Sequence, residues 1–292
     1  MWRAEDRDIT VVVPLYNGRE YVREALESVL RSARVDRVVV VDDNSSDDGP
    51  SVVAAVAASD SRVEMVAKEA DRPQGVAESR NQGLSASRTP LVAFLDQDDL
   101  WLDDFAQGAS AVLNENPHVS AVYGRIVFFV VQPSDAKTTY FAPRCDLHSL
   151  LGHGVIPLQC SLFRRTALDK IGGFDQAVAG ADDWEVFLRL VKSGQQCRGV
   201  DRPWAGARQH SANSSLDDAW IQRVSRRVVR MHAFDHGGCA RCLAAAGRTW
   251  LNSHAQEGRQ YYHRYGLARS LLTRPGKLSA FALARTRWLA HP

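Results

Sequence analysis

The sequence predicts an α/β protein with a mostly parallel central sheet flanked by helices. Three observations carry this. Short apolar runs such as Ile9–Leu15 and Val38–Val41 show no polar alternation, which suits strands buried on both faces. Stretches of helical length separate them, the βα alternation of a parallel sheet. Several runs end abruptly in polar clusters: Tyr16-Asn17-Gly18, Asp42-Asp43-Asn44, and Asp96-Gln97-Asp98-Asp99.

The elements follow in order. The first strand covers Ile9–Leu15 and closes through Pro14 and the turn pair Asn17-Gly18. Val22, Ala25, Leu26, Val29 and Leu30 then recur at the spacing of one helix face. Val38–Val41 is a second strand, residues 51–58 a helix, and Val63–Ala67 a third strand. Gly75–Ser87 reads as helix, Pro90 ends the connection, and Leu91–Leu95 is a fourth strand. Parallel sheets bind ligands beyond the carboxyl ends of their strands, so the polar clusters mark the expected site.

From about residue 119 the pattern changes. Val119–Val131 reads as strand pieces around Gly124, residues 132–155 as loop, and Leu158–Arg164 as strand. Asp182-Asp183-Trp184-Glu185 opens a helix whose apolar positions include Trp184, Phe187, Leu188 and Val191. Acidic residues suit a helix start because the exposed amides there carry partial positive charge. Beyond Ala212 the chain reads as helical, Arg-rich and strand-poor.

Composition narrows the class. With 292 residues, 45% hydrophobic and 24% charged, the chain can bury a core without disulfides or a structural metal, and it is neither disordered nor fibrous. No run approaches the ~20 apolar residues of a membrane span. Met1–Asp6 lacks a signal peptide's basic-then-apolar design, so a cytoplasmic protein is expected. The net charge of +2 conceals an asymmetry: residues 1–205 hold 22 Lys/Arg and 30 Asp/Glu, whereas residues 206–292 hold 14 and 4. An acidic body and a basic C-terminal region therefore need separate explanations. Five cysteines without framework spacing read as reduced thiols, and the lone Cys239-Ala240-Arg241-Cys242 lacks a second pair to complete a zinc site.

Asp96-Gln97-Asp98-Asp99 puts three carboxylates in four positions after an apolar strand. Their repulsion is relieved by solvent or by a hard divalent cation such as Mg²⁺ or Mn²⁺. The alternative reading is a solvated turn in which Asp99 caps the helix near Asp103. Neither a GxxxxGK[ST] loop nor a strand-following GxGxxG is present, so a diphosphate would need a metal together with Arg80 or basic residues near Arg208 and His210.

These segments together resemble family 2 glycosyltransferases of the GT-A fold. The matching pieces are VVVPLYNGREYVREALESVL, VVVVDDNSSDDG, GVAESRNQGL, LVAFLDQDDLW, GGFDQAVAGADDWEVFLRL and RQHSANSS, in the family's order, across residues 9–215. The resemblance implies an inverting transferase acting on a nucleotide sugar, with UDP the expected nucleotide, a catalytic domain over 1–211 and a helical, basic region over 212–292. Within the catalytic domain it implies a nucleotide-binding half over about 1–118 and an acceptor half over about 119–211. It places Pro14, Tyr16, Asn17 and Asp42 around the base, Arg80 near the nucleotide and phosphates, and Asp96 towards the ribose. Asp98 would hold the metal, with His210 as a second ligand. Asp183 would be the general base, with Asp182 in place of the family's more usual Glu and as the competing candidate. Asp99 and Trp184 are implied to contact the acceptor or to support the ligands.

The resemblance also implies partners: a nucleotide-sugar donor, a glycan, lipid-linked or small-molecule acceptor, and no nucleic acid. The basic C-terminal region, with Leu267, Leu271, Leu272 and Leu278 among Arg269, Arg274 and Lys277, is expected first to pack on the catalytic domain and second to touch a membrane surface at its inner face. Two other classes fit part of the pattern: a phosphohydrolase of the haloacid dehalogenase type using Asp96 and Asp98, and a non-catalytic nucleotide-sugar-binding subunit.

Overall fold

The computed structural model describes residues 7–67, 72–136, 138–153, 155–178, 180–210 and 218–233. The first strand, β1 (Ile9–Leu15), is wholly buried. It is followed by α1 (Val22–Leu30), β2 (Val35–Asp42), α2 (Gly49–Ser59), β3 (Val63–Ala67), α3 (Val76–Ala86) and β4 (Leu91–Phe94). β1 pairs in parallel with β2 on one side and with β4 on the other, and β2 pairs in parallel with β3.

The period of two along β1 explains why its sequence is apolar throughout. Val11, Val13 and Leu15 share a core with Val22, Ala25, Leu26 and Val29 of α1 and Val53 and Val56 of α2. Val12 faces the other way, against α3. A Cβ at Gly83 would lie 2.2 Å from Val12 Cγ1, so only glycine lets this helix approach so closely. Pro14 is tolerated because the pairing with β4 ends at Val12–Phe94, and no ladder partner waits for the missing amide hydrogen.

The remaining elements convert the sheet from parallel to mixed. They are β5 (Leu100–Trp101), α4 (Phe105–Glu115), β6 (Val119–Phe129), β7 (Thr138–Tyr140), α5 (Leu147–His153), β8 (Ser161–Arg164), α6 (Arg165–Ile171), α7 (Asp182–Lys192) and β9 (Gln196–Arg208). The sheet order is β3-β2-β1-β4-β8-β6-β9-β5, with β7 on β6. β8 runs antiparallel to β4 and β6, β7 antiparallel to β6, β5 antiparallel to β9, and β9 parallel to β6. One correction and one unforeseen element follow. Residues 132–155 are not simply loop, since they contain β7 and α5. A 13-residue strand, β9, occupies a segment too rich in Arg, Gly and Pro to show a strand pattern.

The described residues 151–153 and 218–233 belong to a second compact unit. Its described helix, α8 (Asp218–Ala233), buries Val228, Val229 and His232 and exposes Arg223 and Arg227. The expectations for Cys239, Cys242 and the Leu267–Leu278 segment lie outside the described residues. No helix among the described residues is long and apolar enough to cross a membrane.

Candidate functional site

Register brings the polar clusters together. Leu15 pairs with Asp42 and Val12 with Phe94, so β1, β2 and β4 end on the same edge of the sheet. The amide of Asp43 donates to Leu15 O at 2.7 Å, tying the first two loops at their root.

The loop after β1 is built by side chains from the other two loops. Asn17 takes a left-handed backbone, φ 51°, a conformation asparagine tolerates. Its amide donates to Ser45 Oγ at 3.0 Å, and its Oδ1 accepts from Ser46 N at 2.8 Å. Asp42, half-buried, accepts from the amide and hydroxyl of Ser45. Asp43 is buried and accepts from the amides of Gln74 and Gly75, which fixes the entry to α3. Tyr16 is 49% exposed, an aromatic surface beside Asp42's loop. Its backbone is clamped by the Gln97 amide, which accepts from Tyr16 N at 2.8 Å and donates to Tyr16 O at 3.0 Å. A Cβ at Gly18 would meet Gln97 Oε1 at 2.3 Å, so the glycine makes room for this clamp.

The segment after β4 splits its carboxylates between different partners. Asp96 Oδ1 accepts from Arg80 Nη2 at 2.7 Å, and its Oδ2 accepts from Gln159 Nε2 at 2.7 Å. Asp98 Oδ2 lies 2.9 Å from His210 Nε2, and the His210 ring stacks on Tyr21 with centroids 5.0 Å apart. Asp99 is buried and accepts from Arg208 N at 3.0 Å. Burial raises the pKa of both Asp98 and Asp99, and the neighbouring Asp96 charge adds to the effect in each. Arg208 is committed internally: its guanidinium bonds Asp98 O, Val131 O and Glu24, between the rings of Tyr21 and Phe129. That use of Arg208 argues against the expectation that it neutralises a diphosphate.

At the start of α7, Asp182 is buried, with Oδ2 paired to Arg80 Nη1 and Oδ1 accepting from Gly180 N at 2.9 Å. Asp183 is half-buried and accepts, among the described residues, from Trp184 N at 2.8 Å. Burial pushes the Asp183 pKa up to about 7; the Asp182 charge adds to this and Arg80 opposes it. Trp184 is 3% exposed and donates from Nε1 to Leu150 O, so it anchors α5 in the core. Of the two roles expected for Trp184, acceptor contact or support of the site, its burial beside Asp183 suits the second.

The structure thus gathers Arg80, Asp96, Asp182 and Asp183 in one cluster, with Asp98 and His210 as an adjoining pair, and it sets Trp184 and Asp99 behind them. Gln97, Gln159 and Tyr21 join the site without an expected role there. Gln97 sits inside the acidic motif and Gln159 interrupts an apolar run, which are the signals that could have exposed them.

A metal fits the Asp98–His210 pair by donor chemistry and spacing. Ligands about 2.1 Å from an ion on adjacent octahedral corners lie roughly 3 Å apart, close to the 2.9 Å found here. Among the described residues no group of three or more His, Cys, Asp or Glu forms a complete cage. Two protein donors leave the other positions to phosphate oxygens and water, the usual habit of Mg²⁺ sites.

The model of glycosyl transferase family 2 matches residues 10–172, more than half of the chain. The chain belongs to this family. This glycosyltransferase is 27% identical over 212 residues to the succinoglycan biosynthesis protein ExoU of Rhizobium meliloti, a match covering 66% of the chain and 60% of ExoU. It is 28% identical to ExoO, another succinoglycan biosynthesis protein of that organism, over 95% of the chain and 79% of ExoO. Its fold resembles that of S. aureus TarS 1–349 in complex with UDP-GlcNAc, with TM-score 0.66, 18% identity, and coverage of 87% of this chain and 74% of TarS. It also resembles the Pyrobaculum calidifontis mannosyltransferase PcManGT in complex with GDP-Man and Mn²⁺, with TM-score 0.63, 19% identity, and coverage of 97% and 84%. The glycosyltransferase has the GT-A type of α/β fold.

Proposed function

We propose that the chain transfers a sugar from a UDP-linked donor to an acceptor hydroxyl with inversion, assisted by a divalent ion at Asp98 and His210. The observation that carries this reading is the different engagement of the site carboxylates. Asp96 and Asp182 each have both oxygens engaged, by Arg80 with Gln159 and by Arg80 with Gly180 N. Asp99 holds a backbone amide and Asp98 pairs with His210. Asp183, bonded to the amide of Trp184, is the carboxylate best suited to take a proton, and a raised pKa suits a general base near neutral pH.

In this mechanism Tyr16, Asn17 and Asp42 receive the nucleotide base in the half over residues 1–118, and the half over 119–211 receives the acceptor. Asp183 accepts the acceptor hydroxyl's proton as that oxygen bonds to the anomeric carbon. Attack comes from the face opposite the diphosphate, the carbon–oxygen bond to the diphosphate breaks, and the nucleoside diphosphate leaves. A Mg²⁺ or Mn²⁺ ion at Asp98 and His210 would stabilise the charge on that leaving group. The complexes formed by TarS with UDP-GlcNAc and by PcManGT with GDP-Man and Mn²⁺ support a nucleotide-sugar donor and a divalent ion.

The names of ExoU and ExoO support a glycan-building role; a glycan or lipid-linked acceptor and peripheral membrane contact belong to the proposal, the latter on the 14 Lys/Arg against 4 Asp/Glu of residues 206–292. The phosphohydrolase reading needs Asp96 as an open nucleophile, whereas both of its oxygens are engaged. A thermal-shift series with UDP-, GDP-, dTDP- and CDP-sugars plus Mn²⁺ tests the donor. The largest shift is expected with a UDP-sugar, and a larger shift with another nucleotide would reassign it.

A further inference from the structure

We propose that Arg80 is a positioning residue that latches the base-bearing start of α7 to the donor edge of the sheet, and is not a ligand of the donor phosphates. This rests on Asp183 acting as the base. Arg80 lies within α3 and is 5% exposed. Its Nη1 meets Asp182 Oδ2, its Nη2 meets Asp96 Oδ1, and its guanidinium carbon lies 5.9 Å from the centroid of the Phe174 ring.

The connection continues at both ends. Gln159 Nε2 holds the second oxygen of Asp96, and Gly180 N holds the second oxygen of Asp182. The guanidinium therefore links, directly or through Asp96, four segments: α3, the end of β4, the turn at Leu158–Cys160 and the start of α7. Phe174 is locked by the neighbouring side chain on the same helix, since Asn81 accepts from Phe174 N at 2.7 Å and donates to Phe174 O at 2.9 Å. α3 thus grips the segment before α7 at two consecutive residues, Arg80 by charge and Asn81 by amide bonds.

Chemistry favours the latch over phosphate binding. Two of the five N–H groups hold carboxylates and Nε is buried without a hydrogen-bond partner, so a phosphate would have to enter the packing that leaves Arg80 only 5% exposed, or draw the guanidinium from Asp96 and Asp182. Burial disfavours the Arg80 charge, and Asp182 and Asp96 more than offset this. The side chain needed here must be planar and forked, which arginine supplies and lysine does not. Asp182 belongs to the same device: it transmits Arg80's position to the residue that follows it.

The test compares Arg80→Met and Arg80→Lys with the wild type in the full chain. UDP affinity with Mn²⁺ is read by calorimetry and donor turnover from UDP release. The latch predicts that both variants keep UDP affinity within about twofold, while Arg80→Met loses about a hundredfold in kcat, the effect of misplacing a catalytic group. Arg80→Lys, which keeps the charge and is the safer variant for folding, should regain part of the rate. Adding Asp182→Asn to Arg80→Met should cost little more, because both changes break one link. A fall in UDP affinity of roughly tenfold or more, as expected when a charged phosphate contact is removed, would overturn the proposal. This binding arm stands whether or not Asp183 is the base, so failure of the base assignment would be seen separately, in Asp183→Asn.

Discussion

Asp98 and His210 are 112 positions apart in the chain, yet Oδ2 of one lies 2.9 Å from Nε2 of the other. Their chain neighbours hold them there: Asp99 accepts from the amide of Arg208, and Gln209 N donates to Phe129 O at the end of β6. If this pair ligates a metal, Asp98→Ala and His210→Ala should each weaken Mn²⁺-dependent UDP binding by at least about tenfold. Calorimetry across a Mn²⁺ series reads the effect. Unchanged Mn²⁺ dependence in both variants would remove the metal assignment.

Asp183→Asn should lose sugar transfer by roughly 10²- to 10⁴-fold, the range for a general base, while UDP affinity stays within about twofold. Radiolabelled sugar transfer and UDP calorimetry measure the two separately. Full transfer by this variant would sink the base assignment.

The raised pKa of Asp183, about 7, sets two pH effects with opposite signs. A base must be ionised, so turnover should rise with pH through about 7 and fall towards acid. Stability runs the other way, because the folded state holds a proton the unfolded chain releases near the ordinary carboxylate value of 3.8. That contribution is complete below about pH 4 and is lost as pH rises through about 7. Asp183→Asn should therefore melt higher than the wild type at pH 8 and at the same temperature near pH 3.5. A melting difference that does not change with pH would contradict the buried carboxyl.

The Gln97 clamp makes Gly18 and Gln97 a coupled pair. Gly18→Ala drives a Cβ into the Gln97 amide, and Gln97→Ala removes two hydrogen bonds to Tyr16. Each should weaken UDP binding by about 1 kcal/mol, the net worth of one such bond, and the double variant should be no worse than the worse single. Strict additivity in a calorimetric double-mutant cycle would show that the two act separately.

Gly83→Ala addresses the fold alone. The new methyl would overlap Val12 Cγ1 at 2.2 Å, and β1 cannot retreat because it is paired on both sides. A loss of about 1–3 kcal/mol is expected, read by denaturant unfolding. Val12→Ala in the same chain should recover part of it.

The N-terminal half was legible because its physics is local. Strands buried on both faces must be apolar throughout, helices between them must carry a periodic face, and the polar residues that follow each strand fall on one edge by topology. Ile9–Leu15 and the Asp96–Asp99 cluster could be placed on that reasoning. β9 could not. Residues 196–203, Gln-Cys-Arg-Gly-Val-Asp-Arg-Pro, carry no strand pattern and become a strand only because β6 offers backbone partners. Trp184 stayed ambiguous for a related reason: an aromatic after an acidic pair reads alike whether it meets an acceptor or supports the site from the core, where it bonds Leu150 O.

The sequence by itself determined the βα order, the acidic edge, the family and the candidate carboxylates, since each follows from residue type and spacing. Only the tertiary structure decided how those carboxylates are engaged. Hydrogen bonding is short-ranged and directional, so the pairing of Arg80 with both Asp96 and Asp182, and of Asp98 with His210, depends on tenths of an ångström between segments up to 112 residues apart. No pattern along the chain encodes that distance.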